Sequence, residues 1–353
     1  MSVSKSVYIG LSGGVDSSVA ALRLIKRGYN VTGVFIKVWH PDFLVCNWEQ
    51  ERLDAMRVAA KLGIPFLTCD AEAEYRDAVA SYFIESYRVG LTPNPDVMCN
   101  KEVKFGAFYK FALERGADYI ATGHYAQTKA VDGVTQMHRG TDTEKDQSYF
   151  LWTLPTEILE HVLFPVGDTT KDVIRAEAQE AGLLTADKKD SQGVCFLGHI
   201  DIPDFLSHYI DLKEGEVINE NKKVIGSHQG AFVYTIGQRQ GFMLNTQDSN
   251  RTPHYVIAKD IQTNTITVST IPPVLPIEAN LTLRHCVLNV KVSVGDIFTA
   301  QSRYRQKPFS VRVLVNNTEQ LVLKVESCSE AVAIGQSCVL YAGGHCLGGG
   351  IIS

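Results

Sequence analysis

The apolar pattern of the chain changes near residue 200, and that change constrains the fold more than any other feature of the sequence. Before it, β-branched and aromatic runs alternate with segments whose apolar residues recur at helical spacing. Repeated strand–helix units of this kind predict an α/β domain with a Rossmann-like parallel sheet, whose ligands bind at the carboxyl ends of the strands. An Asp-Gly pair at 132–133 predicts a hairpin. The predicted strands are 6–11, 31–38, 64–69 and 118–121, and the predicted helices are 16–27, 48–62, 71–87, 101–115 and 170–181.

After residue 200, short strand-like runs follow one another with turn residues, and no helical segments, between them. The predicted strands are 231–235, 255–259, 265–269, 281–288, 297–303, 310–315, 320–325 and 338–341. Such closely spaced strands predict a small barrel or sandwich. Prolines at 272, 273 and 276 mark a linker. We therefore expect an α/β domain at 1–200, a small central domain at 201–273 and a C-terminal β-barrel at 274–353.

The composition is that of a globular protein, with 45% hydrophobic and 21% charged residues and no run of roughly eighteen apolar residues that would span a membrane. The start of the chain lacks the apolar core of a signal peptide, so we expect a cytoplasmic protein. The net charge is −5, from 34 basic and 39 acidic residues. Because nucleic-acid-binding proteins usually have a basic balance, RNA binding would depend on local patches. Candidates are Lys101, Lys104 and Lys110 and the stretch 303–307, although such runs are more often solvated faces.

The string S-G-G-V-D-S-S at 12–18 follows the first predicted strand and opens the first predicted helix. Gly13 and Gly14 let the backbone approach an anion closely, and the N–H groups of the helix start supply donors and a positive dipole end. A bare Gly-Gly turn would be an ordinary turn, but the full string in this context predicts a phosphate site. It lacks the Walker lysine and resembles the pyrophosphate loop of ATP pyrophosphatases, which adenylate a carbonyl oxygen of their substrate. Amidotransferase synthetases, argininosuccinate synthase and several tRNA-modifying enzymes share that loop, so the loop alone leaves the substrate open.

Eight cysteines are scattered along the chain without a CxxC pair, which argues against a zinc ribbon or a thioredoxin-type motif. Most cysteines of this kind are small buried hydrophobic residues. Two prolines and two asparagines predict a loop at 90–100. Cys99 lies near its end and precedes the predicted helix at 101–115, a position that lowers the pKa of a thiol. Asp96 stands three residues earlier and is a candidate proton acceptor. Cys195 is a second candidate, in a segment that contains two lysines and a glycine.

Six segments together resemble the bacterial tRNA 2-thiouridylase (MnmA) family. They occur in order along nearly the whole chain, and several are long enough to be specific. The resemblance implies a HUP-type phosphate-loop domain and ATP-dependent 2-thiolation of the wobble uridine, position 34, in tRNAs for Lys, Glu and Gln, with ATP and Mg as cofactors. The segments are S-G-G-V-D-S-S at 12–18, N-P-D-V-M-C-N-K-E-V-K-F at 94–105, A-T-G-H-Y-A at 121–126, K-D-Q-S-Y-F-L at 145–151, K-K-D-S-Q-G-V-C-F-L-G at 188–198 and T-I-G-Q-R-Q-G at 235–241.

The same resemblance implies roles for individual residues. Cys195 would receive sulfur as a persulfide from a cysteine desulfurase or a sulfur-relay protein, and Cys99 would form a disulfide with it or release hydrosulfide. Asp96 would act as acid or base. The implied nucleotide contacts are Gly10, Leu11, Ser12, Gly13, Gly14, Val15, Asp16, Ser17, Ile36 and Gly123. The implied tRNA contacts are Asn94, Pro95, Asp96, His124, Lys145, Asp146, Gln147, Arg303, Tyr304 and Gln336.

Four alternatives are left open, of which the simplest is a soluble α/β protein whose buried cysteines are unreactive. An iron–sulfur cluster held by Cys99, Cys195 and Asp96 is a second chemistry proposed for the family; it has three candidate ligands where clusters commonly take four thiolates, so we favour the persulfide. Another pyrophosphate-loop enzyme, acting on a small metabolite, would need neither cysteine. A tRNA-binding protein with an inactive loop would consume no ATP. One departure from the family pattern is F-I-K-V-W-H-P-D at 35–42, where F-M-K-N-W followed by acidic residues is common.

Overall fold

The computed structural model of the chain describes residues 4–44, 48–188, 201–245, 252–327 and 329–353. Its first half alternates strands and helices as the apolar pattern predicts. The elements, in chain order, are β1 (Ser6–Gly10), α1 (Val15–Lys26), β2 (Asn30–Lys37), α2 (Trp48–Leu62), β3 (Phe66–Asp70), α3 (Glu72–Tyr75), α4 (Ser81–Arg88), α5 (Pro95–Met98), α6 (Phe108–Leu113), β4 (Tyr119–Ala121), β5 (Ala126–Val131), β6 (Val134–Arg139), α7 (Thr156–Leu159), β7 (Val162–Leu163) and α8 (Lys171–Glu180).

Five of these described strands form a parallel sheet in the order β3–β2–β1–β4–β7. Helices α1, α2 and α8 cover one face, where Val7 and Ile9 are fully buried. The helical residues 95–113 cover the other face, where Phe105 and Phe108 pack. The α/β fold with a Rossmann-like parallel sheet is therefore confirmed. The Asp132-Gly133 hairpin is also present, with positive φ at both residues, between β5 and β6.

The second half is built mainly of strands. Its elements are α9 (Ile202–Ser207), β8 (Gly215–Ile218), β9 (Val224–His228), β10 (Phe242–Leu244), β11 (Tyr255–Asp260), β12 (Thr265–Ser269), β13 (Val274–Leu275), β14 (Asn280–Leu288), β15 (Ile297–Gln301), β16 (Phe309–Asn316), β17 (Leu321–Val325), β18 (Ser329–Glu330), β19 (Ser337–Ala342) and β20 (His345–Ile352).

These strands form a small central sheet and a closed barrel. The central sheet has the order β10–β9–β8–β12–β11. Six described antiparallel strands follow in the order β14–β17–β16–β15–β19–β20, and pairing of β14 with β20 closes the barrel. The prediction of a central domain followed by a C-terminal β-barrel is confirmed. Among the described helices, none combines the length and the apolar character needed to cross a membrane.

Several element predictions for the second half were wrong. Residues 231–235 were predicted as a strand, but Ala231–Val233 form a 3-10 turn. Helix α9 was missed, as were the strands β8, β9 and β20. Three glycines interrupt β20 and weaken its pattern, yet packing against β14 requires glycine there, since a Cβ at Gly348 would lie 1.9 Å from the carbonyl oxygen of Val287. Contacts between distant strands, which local pattern cannot report, decide that element.

Candidate active site

The phosphate loop, residues 10–17, connects β1 to α1 at the carboxyl edge of the parallel sheet. Gly13 has φ of 69°, and a Cβ there would lie 2.9 Å from the carbonyl oxygen of Glu51. Only glycine meets both requirements without strain. The Ser17 hydroxyl donates to the Gly14 carbonyl at 3.1 Å and accepts from the Ser12 N–H at 3.3 Å. The loop is thus closed by its own side chains, with the N-terminus of α1 at its end.

Two lysines from distant parts of the chain contact this loop. Lys171 Nζ lies 2.8 Å from both carboxylate oxygens of Asp16, and the Tyr125 hydroxyl donates to the same carboxylate at 2.7 Å. Lys188 Nζ donates to the Gly13 carbonyl at 3.0 Å and to Asp54 at 2.9 Å. The loop therefore has two ammonium groups beside it, and an ammonium group can bind phosphate as a point charge.

Sequence reasoning did not single out Lys171 as a site residue. Its side chain is only 10% exposed, and it is the first residue of α8. Strand β7 ends at Leu163 on the same sheet edge as the phosphate loop. A lysine that opens the helix after such a strand is placed near ligands of the sheet, and that signal would have found it.

The other residues expected to contact nucleotide lie around the same edge. A Cβ at Gly123 would lie 2.7 Å from the Ser17 backbone nitrogen, so the chain after β4 touches the first turn of α1. A Cβ at Gly10 would lie 3.6 Å from Ile36 Cδ1, which brings the end of β2 to the loop as well. Leu11 and Val15 are buried at this edge, where the Leu11 N–H donates to the Val34 carbonyl at 2.7 Å. The structure thus brings the expected residues together.

The cysteine helix, residues 95–113, consists of α5, a π-helical segment (Cys99–Ala107) and α6. The predicted loop at 90–100 was therefore wrong beyond Asn94. Asn94 is the N-cap, since its side chain accepts from the Val97 N–H at 3.3 Å, and Pro95 occupies the first helical position. Asn followed by Pro can signal either a helix start or a turn, and here it marks the start of a helix.

Cys99 lies one turn after Asp96 on this helix, at the start of the π-helical segment. It is 2% exposed, among apolar side chains that include Phe83, Val103 and Val233. A reagent in solution would therefore reach Cys99 only after local opening of the surrounding structure. The other candidate cysteine, Cys195, falls in 189–200 and lies outside the described residues.

His124 connects the cysteine helix to the phosphate loop. Its Nε2 lies 3.5 Å from Lys104 Nζ, and its Nδ1 lies 2.8 Å from the Thr122 hydroxyl. Burial, reinforced by the positive charge of Lys104, holds the pKa of His124 well below its ordinary value. Because an ammonium group only donates, Nε2 of the neutral ring accepts and Nδ1 carries the proton.

The segment 145–147 makes contacts within the protein. The buried carboxylate of Asp146 accepts from the Arg139 guanidinium at 2.9 Å and from the Ser148 hydroxyl at 3.0 Å. The Gln147 side chain accepts from the Tyr125 N–H at 3.0 Å. Lys145 is half-buried beside them. These residues hold the segment in place next to Tyr125, whose hydroxyl reaches Asp16.

The expected RNA-contacting residues of the barrel also make contacts within the protein. Gln336 donates to the carbonyls of Thr92 and Pro93, just before the cysteine helix. Arg303 donates to the Ile236 carbonyl at 2.7 Å. The Tyr304 ring packs against Phe150 with centroids 4.7 Å apart. Outside the barrel, Pro95 was also expected to contact RNA; it is the first residue of the cysteine helix and is buried.

Family comparisons match three consecutive parts of the chain. Residues 5–199 match the family described as tRNA methyl transferase HUP domain. Residues 203–270 match the tRNA methyl transferase PRC-barrel domain, and residues 283–352 match the aminomethyltransferase beta-barrel domain.

Comparisons with individual proteins extend over the whole chain. The tRNA-specific 2-thiouridylase MnmA of Levilactobacillus brevis is 44% identical over 98% of this chain and 94% of that protein. The protein of the same name from Francisella tularensis is 43% identical over 99% of both chains. Among solved structures, the U34-tRNA thiolase NcsA from Methanococcus maripaludis with its [4Fe-4S] cluster is 16% identical over 59% of this chain and 64% of that chain, with a TM-score of 0.35.

Proposed function

The chain belongs to the tRNA-specific 2-thiouridylase (MnmA) family, and from that premise we propose that it thiolates the wobble uridine of tRNA at C2. ATP activates the C2 oxygen, and a persulfide supplies the sulfur. The substrates are the tRNAs for Lys, Glu and Gln, and the reaction takes place in the cytoplasm. The observation that carries the proposal is that the phosphate loop, which would activate the uridine, is linked by direct contacts to the cysteine helix, which would take part in sulfur transfer. Gly123 touches the phosphate loop at Ser17, and the next residue, His124, contacts Lys104 on the cysteine helix.

The phosphate loop performs the activation. The N–H groups at the start of α1, together with Lys171 and Lys188, hold the phosphates of ATP. The uridine C2 oxygen attacks the α-phosphorus, the bond to the β-phosphate oxygen breaks, and diphosphate leaves. Both lysines stabilise the negative charge that develops on the departing diphosphate. The adenylated oxygen is then a leaving group at C2.

Magnesium would be bound together with ATP, where it would offset the negative charge of the phosphates. Among the described residues there is no group of three His, Cys, Asp or Glu side chains that would hold a metal without the nucleotide. Mg²⁺ commonly takes one or two carboxylates plus substrate phosphates, and Asp16 is the carboxylate on the phosphate loop. Its donor chemistry fits that role, and Lys171 Nζ lies 2.8 Å from both oxygens of the same carboxylate.

The two cysteines perform the sulfur transfer. Cys195 carries a persulfide received from a cysteine desulfurase or a relay protein, and its terminal sulfur attacks C2. The Cys99 thiolate attacks the inner sulfur of Cys195, the sulfur–sulfur bond of the persulfide breaks, and its electron pair stays with the sulfur on C2. AMP leaves with the former C2 oxygen, and a cellular thiol reduces the Cys99–Cys195 disulfide afterwards. Asp96 accepts the Cys99 proton.

Three parts of the chain contribute to tRNA binding in this proposal, with boundaries at 1–200, 201–273 and 274–353. Asn94, Pro95 and Asp96 lie nearest the target base. The tRNA is contacted by His124 and by residues 145–147, and from the barrel by Arg303, Tyr304 and Gln336. Since the chain is acidic overall, these local contacts have to supply the attraction for the phosphate backbone.

A thiolation assay tests the proposal. Reduced protein is incubated with an unmodified transcript of tRNA for Glu, Mg-ATP, cysteine and a desulfurase, and 2-thiouridine is then sought by mass spectrometry of the digested RNA. We expect product from the wild type and none from Cys99→Ser or Cys195→Ser, while both variants still bind ATP. Full product from either variant would overturn the sulfur route. AMP release with a small metabolite and no thiolated RNA would favour a different adenylating enzyme.

A further inference from the structure

All three parts of the molecule meet at the three residues that precede the cysteine helix. From the barrel, the Ile334 carbonyl accepts from the Thr92 N–H at 2.9 Å. Gln336 Nε2 donates to the Thr92 carbonyl at 3.0 Å and to the Pro93 carbonyl at 3.1 Å. One amide group of the barrel thus holds two consecutive carbonyls of the α/β domain.

The central domain contacts Thr92 through Thr235. The hydroxyls of Thr92 and Thr235 are 3.2 Å apart. The segment that carries Thr235 is fixed in turn, because Arg303 donates to the Ile236 carbonyl at 2.7 Å and Lys259 donates to the Tyr234 carbonyl at 2.6 Å. These contacts link barrel, central domain and helix start around Thr92.

The approach of the barrel to Thr92 leaves no room for a side chain. Gly335 has φ of 93°, and a Cβ there would lie 3.0 Å from both the nitrogen and the carbonyl oxygen of Thr92. Two residues later Asn94 caps the helix by accepting from Val97. A displacement of Thr92 would therefore move the cap, and with it the first turns that carry Asp96 and Cys99.

We infer that Gln336 is a positioning residue that acts through Thr92 and Asn94 on the placement of Asp96 and Cys99. The barrel then contributes to sulfur transfer by fixing the start of the cysteine helix, in addition to any contact with RNA. The inference rests on the proposed function for the role of Cys99. Its structural part, that Gln336 restrains the surroundings of Cys99, holds without tRNA.

The test measures how fast the buried Cys99 is alkylated in the absence of tRNA, ATP and sulfur donor. Reduced wild type and Gln336→Ala are treated with N-ethylmaleimide, and the peptide that contains Cys99 is quantified by mass spectrometry. Loss of the Gln336 hydrogen bonds should increase local opening and raise the rate about five-fold. Gln320→Ala, the same change in the turn before β17, is the matched control and should leave the rate unchanged. An unchanged or slower rate in Gln336→Ala would overturn the inference.

Steady-state kinetics separate positioning from RNA contact. We expect kcat of Gln336→Ala to fall about five-fold, in addition to any rise in KM for tRNA that the lost RNA contact causes. A raised KM with unchanged kcat and unchanged Cys99 alkylation would show that Gln336 contacts only RNA. If Gln336→Ala unfolds, Thr92→Val, which loses the hydroxyl contact to Thr235, should show the same faster alkylation, and no acceleration there would overturn the inference. Absence of thiolation in the wild type would refute the proposed function and leave the alkylation result standing.

Discussion

The phosphate loop and the start of the cysteine helix are held in place in different ways. The loop is closed by hydrogen bonds among Ser12, Gly14 and Ser17, within five residues of one another. The start of the cysteine helix depends on Thr235, 143 residues away in sequence, and on Gln336, 244 residues away. A sequence string therefore specifies the first region, whereas the second requires the assembled molecule.

This difference suits the chemistry that we propose for each region. An ATP site serves every round of the reaction in the same geometry, so a rigid local loop is sufficient. A sulfur-transfer site has to bring together a buried Cys99, a second cysteine and an RNA base. Contacts from all three parts of the molecule fix the start of the helix that carries Cys99.

The largest effect is expected at Gly123, where the phosphate loop meets the rest of the sheet edge. Gly123→Ala places a Cβ 2.7 Å from the Ser17 backbone nitrogen, so the start of α1 must shift. A displacement of about 1 Å can cost about 100-fold in rate, and we expect AMP formation to fall by about that factor. Gly344→Ala is the control, since its Cβ would meet nothing closer than 3.9 Å. Near-normal AMP formation by Gly123→Ala would contradict a rigid loop.

Lys171→Met tests how far the loop depends on a distant charge. The ammonium is 10% exposed and Asp16 is 31% exposed, so the substitution leaves a partly buried carboxylate without its cation. Allowing for solvent screening, we expect the free energy of unfolding in urea to fall by about 2 kcal/mol. Lys101→Met removes a pair that is 47% and 36% exposed and should cost less than about 1 kcal/mol. Equal losses in both variants would mean that the Asp16 pair contributes no more than a surface pair.

Asn94→Ala tests the local contribution to the cysteine helix. Loss of an N-cap side chain lowers the free energy of unfolding by about 1 kcal/mol, and the helix start should also become more mobile. We expect faster alkylation of Cys99 together with that loss. Asn30→Ala, at an exposed position at the start of β2, should change neither quantity. If Asn94→Ala leaves Cys99 alkylation unaltered, the distant contacts alone hold the helix start.

The smallest effect concerns His124, between the two regions. Burial keeps its pKa well below 6.5 in the folded state, whereas it titrates near 6.5 in the unfolded chain. At a pH between these values the unfolded state binds more protons, so stability from this residue is present above pH 6.5 and is lost as pH falls. When the pH falls from 8 to 6, we expect the wild type to lose about 0.8 kcal/mol more of its free energy of unfolding than His124→Asn loses. Identical pH dependence would show that the buried ring is not a source of acid sensitivity.

The sequence was sufficient where neighbouring residues decide the structure. The strand–loop–helix around Ser12 and Gly13, the Asp132-Gly133 hairpin and the parallel sheet all follow from local patterns. It was insufficient where distant residues decide. Lys171 reaches Asp16 from 155 residues away, and β20 forms despite its glycines because β14, far earlier in the chain, pairs with it. The start of the cysteine helix at Pro95 lies between these cases, since Asn94-Pro95 signals both a turn and a helix cap.

The most direct test of the central claim follows one oxygen atom. An anticodon stem-loop whose uridine 34 carries ¹⁸O at C2 is thiolated by the enzyme with Mg-ATP and a persulfide donor, and the AMP is analysed by mass spectrometry. If ATP bound at the phosphate loop adenylates the C2 oxygen before sulfur is transferred at the cysteine helix, the AMP formed gains one ¹⁸O for each 2-thiouridine. Thiolated RNA accompanied by AMP without ¹⁸O would contradict the account, because the C2 oxygen would then have left without adenylation.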